Sequence, residues 1–310
     1  MKPIIGIIGL GIMGSAMAEA LIGAGYSVVG YDVNSTSRRR LKSTGGSSLA
    51  SCAAVASRAD VLITSLPSVA ALDDVVEKIA PACATKNKAK PGLIVIETST
   101  LPIADKERAM KRLKQVRATM LDCPISGTAR RMKEGAWTIF VSGSKAACKS
   151  VGAIFAVFTR NVPYVGAFGN GSKMKFIANH LVAIYNVAVG ESLTFARKMG
   201  LNPQQVWDLF AASPVVGTGV FKLRGKFMVD RKYLPATMKV QTWQKDMQVI
   251  GDMAKSVDCP MPLFVACIPI YNAAMAQGLG QSDTASVCEV LDGMAGGRRA
   301  RRVRSVSPPA

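Results

Sequence analysis

The sequence predicts a doubly wound α/β domain with a mostly parallel sheet, followed by an all-α domain joined to it by a long helix. Up to about residue 165, short apolar segments alternate with segments of helical character, which is the pattern of a parallel sheet with helices on both faces. After residue 165, strand signals almost vanish and long amphipathic segments take over. A length of 310 residues suits two domains of ordinary size.

The alternating first part of the chain contains several segments with strand character. Residues 4–8 form a short apolar run that is typical of a buried strand. Further strands are expected near residues 27–32, 61–64, 93–96, 119–121, 138–141 and 161–164. Helices are expected near residues 15–25, 71–79 and 103–115. We therefore assign residues 1–165 to the first domain.

The second part is predicted to be helical and to begin with a long helix. Amphipathic segments extend over about residues 172–199, 204–211, 240–256 and 263–276. The first of these would be roughly 40 Å long at a rise of about 1.5 Å per residue, which suits the spine of a domain and a surface for dimerisation. We assign residues 166–292 to this domain. Residues 293–310, with five arginines and no acid, are expected to form a disordered tail.

The chain is strongly basic, with a formal net charge of +19 and a pI near 9.9. A basic protein attracts anionic substrates and cofactors by electrostatic steering. Because the sequence contains no organised aromatic and basic motif of the known nucleic-acid-binding modules, we expect no specific nucleic-acid partner. Apolar stretches are interrupted well short of the roughly 18 residues that a membrane span requires, so we expect no membrane association.

Cysteine and histidine usage argues against disulfide and metal chemistry. The seven cysteines are scattered and form no C-x-x-C pair, which favours reduced thiols in a cytoplasmic protein. His180 is the single histidine, so a histidine-rich metal site is impossible. The N-terminus enters a predicted strand at once, which would leave no room for a signal peptide. We expect a cytoplasmic protein without a bound metal.

A glycine-rich turn directly follows the first predicted strand and opens the first helix. It reads Gly9-Leu10-Gly11-Ile12-Met13-Gly14, a G-x-G-x-x-G pattern. In such a turn the first glycine permits the tight bend, the second lets the backbone approach a pyrophosphate, and the third permits close packing of the helix on the strand. The helix N-terminus then faces the negative charge. These six residues are therefore predicted to bind a dinucleotide.

Asp32 lies at the end of the second predicted strand, 18 residues after Gly14. A carboxylate in this position accepts hydrogen bonds from the adenosine ribose and repels the additional phosphate of NADP, so NAD is the favoured cofactor. Arg38, Arg39 and Arg40 follow closely. Because basic residues nearby can accept a 2′-phosphate, NADP stays an alternative.

Candidate ligand contacts also follow three other predicted strands at their C-terminal ends, where ligands bind to sheets of this kind. Leu66, Pro67 and Thr100 occupy such positions and are predicted to contact cofactor or substrate. In the segment Asp122-Cys123-Pro124-Ile125-Ser126-Gly127, Ser126 offers a hydroxyl and Gly127 an accessible N–H. Donors of this kind suit a substrate carboxylate.

Lys175 and Asn179 lie four residues apart, after a glycine-rich turn at the start of the long helix. At this spacing both side chains project from one face of a helix. Partial burial beside a cofactor would lower the pKa of the lysine and let it exchange protons near neutral pH. A basic amine beside an amide, in a chain that also binds a dinucleotide, is the outline of a redox active site.

Together these motifs resemble those of the β-hydroxyacid dehydrogenase family, which includes the dehydrogenases of 3-hydroxyisobutyrate, L-threonate and 6-phosphogluconate and the reductase of tartronate semialdehyde. The resemblance extends over about residues 3–292 and includes four signatures in chain order, namely residues 9–14, 122–127, 166–179 and Lys245-Asp246-Met247. It implies a Rossmann domain, a homodimer or homotetramer, and NAD-dependent oxidation of a small anionic β-hydroxy acid.

The resemblance also implies roles for individual residues. Lys175 would be the general acid/base, and Asn179 and Ser126 would hold the substrate. Lys245 would lie at the nicotinamide end of the cofactor. The other residues implied to contact the cofactor are Leu66, Pro67 and Thr100.

The chain departs from the family pattern beside the substrate signature. Thr128 stands where the hydroxyisobutyrate and threonate enzymes often have a second glycine, and Gly135-Ala136-Trp137 stands where they often have Gly-Thr-Leu. Arg130 or Arg131 could recognise a second anionic group of the substrate, and Trp137 could narrow the pocket or fill the core. These differences leave the identity of the substrate undecided, whereas the type of reaction, oxidation of a hydroxy acid, is unaffected.

Two other functions fit the same motifs. The first is reduction of tartronate semialdehyde (2-hydroxy-3-oxopropionate) or of an imine on the same fold, although imine-reducing relatives usually lack the lysine. The second is a non-catalytic dinucleotide-binding scaffold. Scaffold relatives typically lose the lysine too, so Lys175 and Asn179 argue for the dehydrogenase.

Overall fold

The computed structural model describes residues 2–85 and 92–296, apart from the side chains of Thr85, Arg130, Arg131 and Lys133. The chain forms two compact units, and the boundary between them falls between Ile177 and Ala178, inside a long helix. The first unit contains a doubly wound α/β sheet and the second is helical, which confirms the predicted fold class. The predicted start of the tail at residue 293 is too early, because the last described helix includes Gly293 and Met294. The part of the tail beyond residue 296 lies outside the described residues.

The first unit is built on a six-stranded sheet with the strand order β3-β2-β1-β4-β5-β6, in which all pairs are parallel. The strands are β1 (Ile5–Ile8), β2 (Val28–Tyr31), β3 (Ser47–Ser48), β4 (Val61–Thr64), β5 (Ile94–Glu97) and β6 (Thr119–Asp122). Every residue of the central strands β1 and β4 is buried, as expected for apolar strands covered on both faces. The strand order reverses between β1 and β4, and ligands of such sheets bind outside the carboxyl ends of the strands at this point.

Helices cover both faces of this sheet. They are α1 (Ile12–Gly23), α2 (Ser35–Ser43), α3 (Cys52–Arg58), α4 (Val69–Thr85) and α5 (Ile103–Gln115). One apolar cluster combines Ile7 of β1 with Leu21 of α1, and a second combines Ile8 of β1 with Leu72 of α4 and Leu113 of α5. Because successive residues of a strand point to opposite faces, the two clusters lie on the two sides of the sheet.

A short hairpin and two small helices complete the first unit before the long helix. They are β7 (Ile125–Ser126) and β8 (Thr138–Ile139), which pair antiparallel, followed by α6 (Lys145–Ser150) and α7 (Gly152–Phe155). A 3-10 turn, Ala129–Glu134, lies between the two strands. The predicted strand at residues 161–164 is wrong, because only isolated bridges of Asn161 and Tyr164 form there. Pro163 has no N–H to donate, which prevents a regular ladder.

The second unit is helical throughout its regular structure within residues 178–296. Its helices are the later part of α8 (Asn170–Lys198), then α9 (Pro203–Phe210), α10 (Lys226–Asp230), α11 (Val240–Ser256), α12 (Pro262–Ala276) and α13 (Val287–Met294). A π-helical turn, Phe221–Gly225, precedes α10, and a 3-10 turn, Thr284–Ser286, precedes α13. Within the part of the chain that the structure describes, no helix is both long and apolar enough to cross a membrane.

Buried polar contacts join the helices of the second unit to one another. Asn186 of α8 donates a hydrogen bond to the hydroxyl of Tyr271 of α12 at 3.2 Å. Thr194 of α8 donates to Asp292 of α13 at 2.7 Å, and Arg197 forms an ion pair with the same carboxylate at 3.1 Å. Each contact joins residues far apart in sequence, so the packing of this unit depends on side-chain pairs that no local pattern reveals.

Candidate functional site

The dinucleotide loop owes its shape to close contacts of its glycines. Gly9 follows β1 with a φ of +90°, and a Cβ in its place would lie 2.2 Å from the carbonyl oxygen of Ser65. A Cβ at Gly14 would lie 1.9 Å from the carbonyl oxygen of Gly9. Both positions therefore exclude any side chain, as the pattern predicts for the turn and for the packing of helix on strand.

Gly11 is a glycine for a different reason. A Cβ there would meet no atom of the described residues within 4 Å beyond its immediate neighbours, so packing of the protein does not require a glycine. Gly11 is the N-cap of α1, and among the described residues no side chain caps this helix. The first amides of α1 are thus left for a ligand, and an anion suits them best. Of the remaining loop residues, Ile12 is exposed, Met13 is half-buried and Leu10 is buried.

Asp32 follows β2 and braces this loop. Its two carboxylate oxygens accept hydrogen bonds from the backbone N–H of Leu10 and of Asn34, each at 2.7 Å. The guanidinium of Arg38 donates to the carbonyl oxygen of Asp32 at 2.6 Å and lies over the ring of Tyr31. The half-buried carboxylate is therefore fixed beside the first helix, where a ribose would meet it.

The loops after β4 and β5 are held together by hydrogen bonds. The backbone N–H of Leu66 donates to the hydroxyl of Ser99 at 2.7 Å, and the N–H of Ser99 donates to the carboxylate of Glu97 at 2.6 Å. Pro67 and Thr100 are the next residues of the two loops, the first exposed and the second half-buried. The predicted contacts Leu66, Pro67 and Thr100 thus lie on two adjoining loops at the carboxyl edge of the sheet.

The buried side chain of Trp137 packs against the predicted substrate loop that follows Ser126. Gly127 has a φ of +137°, and a Cβ there would lie 2.5 Å from Cδ1 of Trp137. The indole N–H of Trp137 donates to the carbonyl oxygen of Thr128 at 2.7 Å. Trp137 is only 1% exposed and packs beside Phe158, so it is a core residue that also shapes the loop after Ser126.

Helix α8 places Lys175 and Asn179 on one buried face. Gly166 and Gly169 adopt positive φ angles just before the helix begins at Asn170. Lys175 is 8% exposed and Asn179 is 3% exposed, whereas Ile177 on the opposite face is exposed. A lysine is rarely this well buried without a partner or a function.

Asp246 joins two of the predicted site residues in the second unit. The amide of Asn179 donates to one carboxylate oxygen of Asp246 at 2.9 Å, and the ammonium of Lys245 lies 2.9 Å from the other. Asp246 itself is 3% exposed. The sequence signature includes Asp246 without assigning it a role, because its partner Asn179 lies 67 residues away.

Comparison with family models decides the classification. Residues 4–166 match the NAD binding domain of 6-phosphogluconate dehydrogenase, a match that spans more than half of the chain. The chain belongs to the β-hydroxyacid dehydrogenase family. Residues 169–291 match a second model of this family, described as NAD-binding of NADP-dependent 3-hydroxyisobutyrate dehydrogenase. The chain is therefore an NAD(P)-dependent oxidoreductase, as the sequence motifs predict.

Similar proteins align along almost the whole chain. An L-threonate dehydrogenase of Cupriavidus necator is 30% identical over 291 residues, which cover 94% of this chain and 96% of that protein. The 2-hydroxy-3-oxopropionate reductase of Escherichia coli is 28% identical, with 94% and 98% covered. The crystal structure of a 3-hydroxyisobutyrate dehydrogenase from Salmonella typhimurium superposes with a TM-score of 0.83 at 27% identity, covering 93% of this chain and all of that one.

The structure describes the backbone but not the side chain of one predicted site residue, Arg130. This residue belongs to the 3-10 turn Ala129–Glu134. By contrast, sequence reasoning missed Trp137 as the support of Gly127, and it missed a buried ion cluster around Lys106. Lys106 gives no signal in the sequence, since a lysine on an amphipathic helix is usually exposed to solvent.

Proposed function

We propose that this dehydrogenase oxidises a small β-hydroxy acid with NAD and uses Lys175 as the general base. The burial of Lys175, on the same face of α8 as the fixed amide of Asn179, is the observation that carries the proposal. Burying an amine in the second turn of a helix costs free energy, whereas a lysine on the surface carries no such cost. The same pair argues against a non-catalytic scaffold, which has no need of either group.

The proposed reaction moves one proton and one hydride. The amine Nζ of Lys175 takes the proton of the substrate hydroxyl as the carbon–oxygen bond becomes a carbonyl. Bound NAD would supply the acceptor for the hydride that leaves the same carbon. In the reverse direction the ammonium of Lys175 returns the proton to the carbonyl oxygen. General base catalysis of this kind is worth about 10²- to 10⁴-fold in rate.

The cofactor would be held by the glycine-rich loop and the loops that follow the strands. The proposed contacts are Gly9, Leu10, Gly11, Ile12, Met13, Gly14, Asp32, Leu66, Pro67, Thr100 and Lys245. The uncapped N-terminus of α1 suits a pyrophosphate, and the carboxylate of Asp32 suits a ribose with a free 2′-hydroxyl. This preference for an uncharged ribose is the reason for proposing NAD rather than NADP.

The substrate would be a small hydroxy acid bound through its carboxylate. We assign this role to the hydroxyl of Ser126 and the N–H of Gly127, with Asn179 and Thr100 as further contacts. Arg130, by its place two residues after Thr128, would recognise a second anionic group. Relatives named for L-threonate and 3-hydroxyisobutyrate make these two acids the first substrates to try.

The test is NAD reduction with a panel of hydroxy acids, by the wild type and two variants. The panel comprises 3-hydroxyisobutyrate, L-threonate, glycerate, L-serine, 3-hydroxypropionate and 6-phosphogluconate, each repeated with NADP. Lys175→Ala should lower kcat by about 10²- to 10⁴-fold while the Kd for NAD stays unchanged. Lys173→Ala, which alters an exposed lysine two residues earlier on α8, should keep wild-type kinetics. Wild-type turnover by Lys175→Ala would disprove the mechanism.

The reductive direction is a second candidate. A 2-hydroxy-3-oxopropionate reductase is 28% identical to this chain, and the same lysine would then donate a proton to an aldehyde oxygen. The candidate is distinguished by supplying tartronate semialdehyde with NADH or NADPH in the same assay. Turnover of the semialdehyde together with a blank hydroxy-acid panel would favour the reductase.

We also propose a homodimer or homotetramer in which α8 packs against a second copy. Met174, Leu181, Ala188 and Phe195 follow one another at seven-residue intervals, and all four are exposed on α8. Such spacing is that of a helix–helix seam. Light scattering should show an oligomer for the wild type and a monomer for the double variant Leu181→Glu/Phe195→Glu. A monomeric wild type would contradict the proposal.

The remaining proposals concern the roles of the two domains and the location of the protein in the cell. Residues 1–165 would bind the cofactor, and residues 166–292 would contribute to substrate binding and dimerisation. All seven cysteines are thiols rather than halves of disulfides, which fits a cytoplasmic location. Fractionation of the source cells, followed by immunodetection, tests that location directly.

A further inference from the structure

Three charged side chains of the first unit are completely buried, although none belongs to the proposed site. Lys106 of α5 points its ammonium between Glu97, the last residue of β5, and Asp122, the last residue of β6. The ammonium lies 2.8 Å from Asp122 Oδ1 and 3.9 Å from Glu97 Oε1, and all three side chains have no exposed surface. It also donates to the hydroxyl of Ser172 at 3.1 Å. We call Glu97, Lys106, Asp122 and Ser172 the Lys106 cluster.

The Asp122 side of the cluster caps the helix that carries Lys175. Its carboxylate accepts the backbone N–H of Ser172 at 2.7 Å and the hydroxyl of Ser172 at 2.8 Å. The N–H of Gly171 donates to the hydroxyl of Ser142 at 3.0 Å, and that hydroxyl in turn donates to the carbonyl oxygen of Asp122. The hydroxyl of Ser142 and the carboxylate of Asp122 thus accept hydrogen bonds from amides in the first turn of α8. The carboxylate also places a negative charge at the positive end of the helix dipole. Lys175 follows three residues later and lies above Ser172 on the helix.

The Glu97 side of the cluster holds the loops assigned to the cofactor. One oxygen of its carboxylate accepts the N–H of Ser99 at 2.6 Å, and the other is hydrogen-bonded to the hydroxyl of Thr64 at the end of β4. The hydroxyl of Ser99 accepts the N–H of Leu66. Through Ser99, Glu97 therefore fixes the neighbours of both Thr100 and Pro67.

The ammonium of Lys106 is what allows the two carboxylates to lie together. Charges without a solvent shell are costly unless they are paired and hydrogen-bonded, and well-packed apolar residues often stabilise a core as much or more. Stability alone is thus a weak reason for such a cluster. Its hydrogen bonds, however, have defined directions, and they reach both the cofactor loops and the first turn of α8.

We propose that Lys106 is a positioning residue that sets α8, and with it the Nζ of Lys175, in register with the loops of Leu66 and Thr100. The inference rests on the proposed function, because Lys175 is the group being positioned. Without the ammonium, two carboxylates would face each other in a dry interior. The first turn of α8 and the Ser99 loop would then move apart, and the catalytic amine would leave its reacting position.

The test compares Lys106→Met, which shortens the side chain by one heavy atom and removes its charge, with Arg197→Met. Arg197 also forms a largely buried ion pair, but in the second unit. Lys106→Met should lower kcat by about 10- to 100-fold, the loss that a displacement of about 1 Å can cause. Amide hydrogen exchange in the first turn of α8 should accelerate by about 10-fold or more. Arg197→Met should lower the unfolding midpoint but change neither quantity.

A double variant separates charge balance from simple packing. Glu97→Gln/Lys106→Met again leaves one buried carboxylate uncompensated, as in the wild type, and should regain much of the exchange protection in α8. Ser172→Ala offers a milder alteration if Lys106→Met fails to fold, and it should speed the same exchange while leaving the Kd for NAD unchanged. Wild-type exchange in α8 in Lys106→Met, or in Ser172→Ala if Lys106→Met does not fold, would overturn the inference. Exchange is measured without substrate, so an inactive wild type would refute the proposed function and leave this test intact.

Discussion

The two units of the chain fix their candidate residues by different means. In the first unit, the dinucleotide loop is shaped by main-chain contacts, since a Cβ at Gly14 would lie 1.9 Å from the carbonyl oxygen of Gly9. In the second unit, Asn179 is fixed by a side-chain hydrogen bond to Asp246, 67 residues further along the chain. A close main-chain contact leaves no room for an added atom. A side-chain hydrogen bond, by contrast, can become weaker without the loss of the surrounding structure.

This difference also determines what can be recognised from a sequence. A steric requirement for glycine can be recognised in the sequence, because no other residue can occupy the position, and Gly9 and Gly14 are two such positions at a fixed local spacing. A polar pair cannot be recognised in this way, because each partner is an ordinary residue of an ordinary helix. Substitutions in each unit can therefore test whether the steric contacts of the glycines and the polar side-chain pairs respond differently to mutation.

The largest effect is expected from Gly14→Ala compared with Gly11→Ala. The added methyl at Gly14 would overlap a backbone carbonyl that cannot move aside, so the free energy of unfolding should fall by about 3 kcal/mol, the upper end of the usual cost of overpacking. At Gly11 the methyl meets no protein atom, and stability should change by less than about 1 kcal/mol. Urea unfolding of both variants measures this difference.

Gly11→Ala should instead weaken the binding of NAD, because its methyl would stand where the backbone approaches the pyrophosphate. Titration of each folded variant with NAD provides the second half of the comparison. Equal stability losses for the two variants would contradict the assignment of separate roles to the two glycines. Unchanged NAD binding by Gly11→Ala would remove the loop from the cofactor site.

Elements with strong local patterns are the ones that the sequence predicts closely. The helices α5 and α11 have the predicted bounds because their apolar residues repeat at the helical period. The strand β4 has the predicted bounds because it is a short buried run with three apolar residues in succession. Short helices such as α3 and α6 were not predicted, since fewer than two helical turns provide too little periodicity. The fold class follows from these patterns, whereas the resemblance to the family rests on the four motif signatures.

Candidate site residues divide in the same way. The residues given by motif were predicted, and a core position was one of the two roles considered for Trp137. The support that Trp137 gives to the loop of Gly127 and the burial of Lys106 were not predicted. Lys106 meets Asp122 after 16 residues and Ser172 after 66, distances over which a single sequence provides no pairing information. Burial of a charge is decided by the complete fold, and only the folded chain reveals it.

The next largest effect is expected from Asp246→Asn in the second unit. The variant keeps the shape of the side chain but removes the charge that orients Asn179 and pairs with Lys245. Hydrogen bonds to charged groups are worth about 1.5–3 kcal/mol, so kcat/KM for the hydroxy acid should fall by about 10- to 100-fold. Steady-state kinetics with the substrate identified by the panel provide the measurement.

Asp292→Asn is the matched control for this variant. Asp292 is also a buried carboxylate of the second unit, and it binds Thr194 and Arg197 rather than a candidate site residue. This control should lower the unfolding midpoint without a comparable loss of kcat/KM. If both variants lose activity in proportion to stability, then Asp246 has a structural role only.

The smallest effect is expected at Asp32, whose side chain holds main-chain groups of the loop. Its carboxylate holds the main chain of the loop through the N–H of Leu10, and it is also the group proposed to select NAD over NADP. Asp32→Asn should raise the KM for NAD by about 10-fold or less, the scale of one charge-assisted hydrogen bond at a part-exposed site. The KM for NADP should fall relative to that for NAD, because the repulsion of its 2′-phosphate is removed.

Asp60→Asn separates these two contributions. Asp60 accepts the N–H of Ile4 at 2.8 Å, at the other end of β1, so it braces the same strand without facing the cofactor loop. If the carboxylate of Asp32 acts on the cofactor, only Asp32→Asn will change the ratio of the two KM values. If it acts on the backbone alone, the KM for both cofactors will rise together in Asp32→Asn and their ratio will stay constant. Such a result would place the discrimination elsewhere in the loop after β2, and it would remove the reason for preferring NAD.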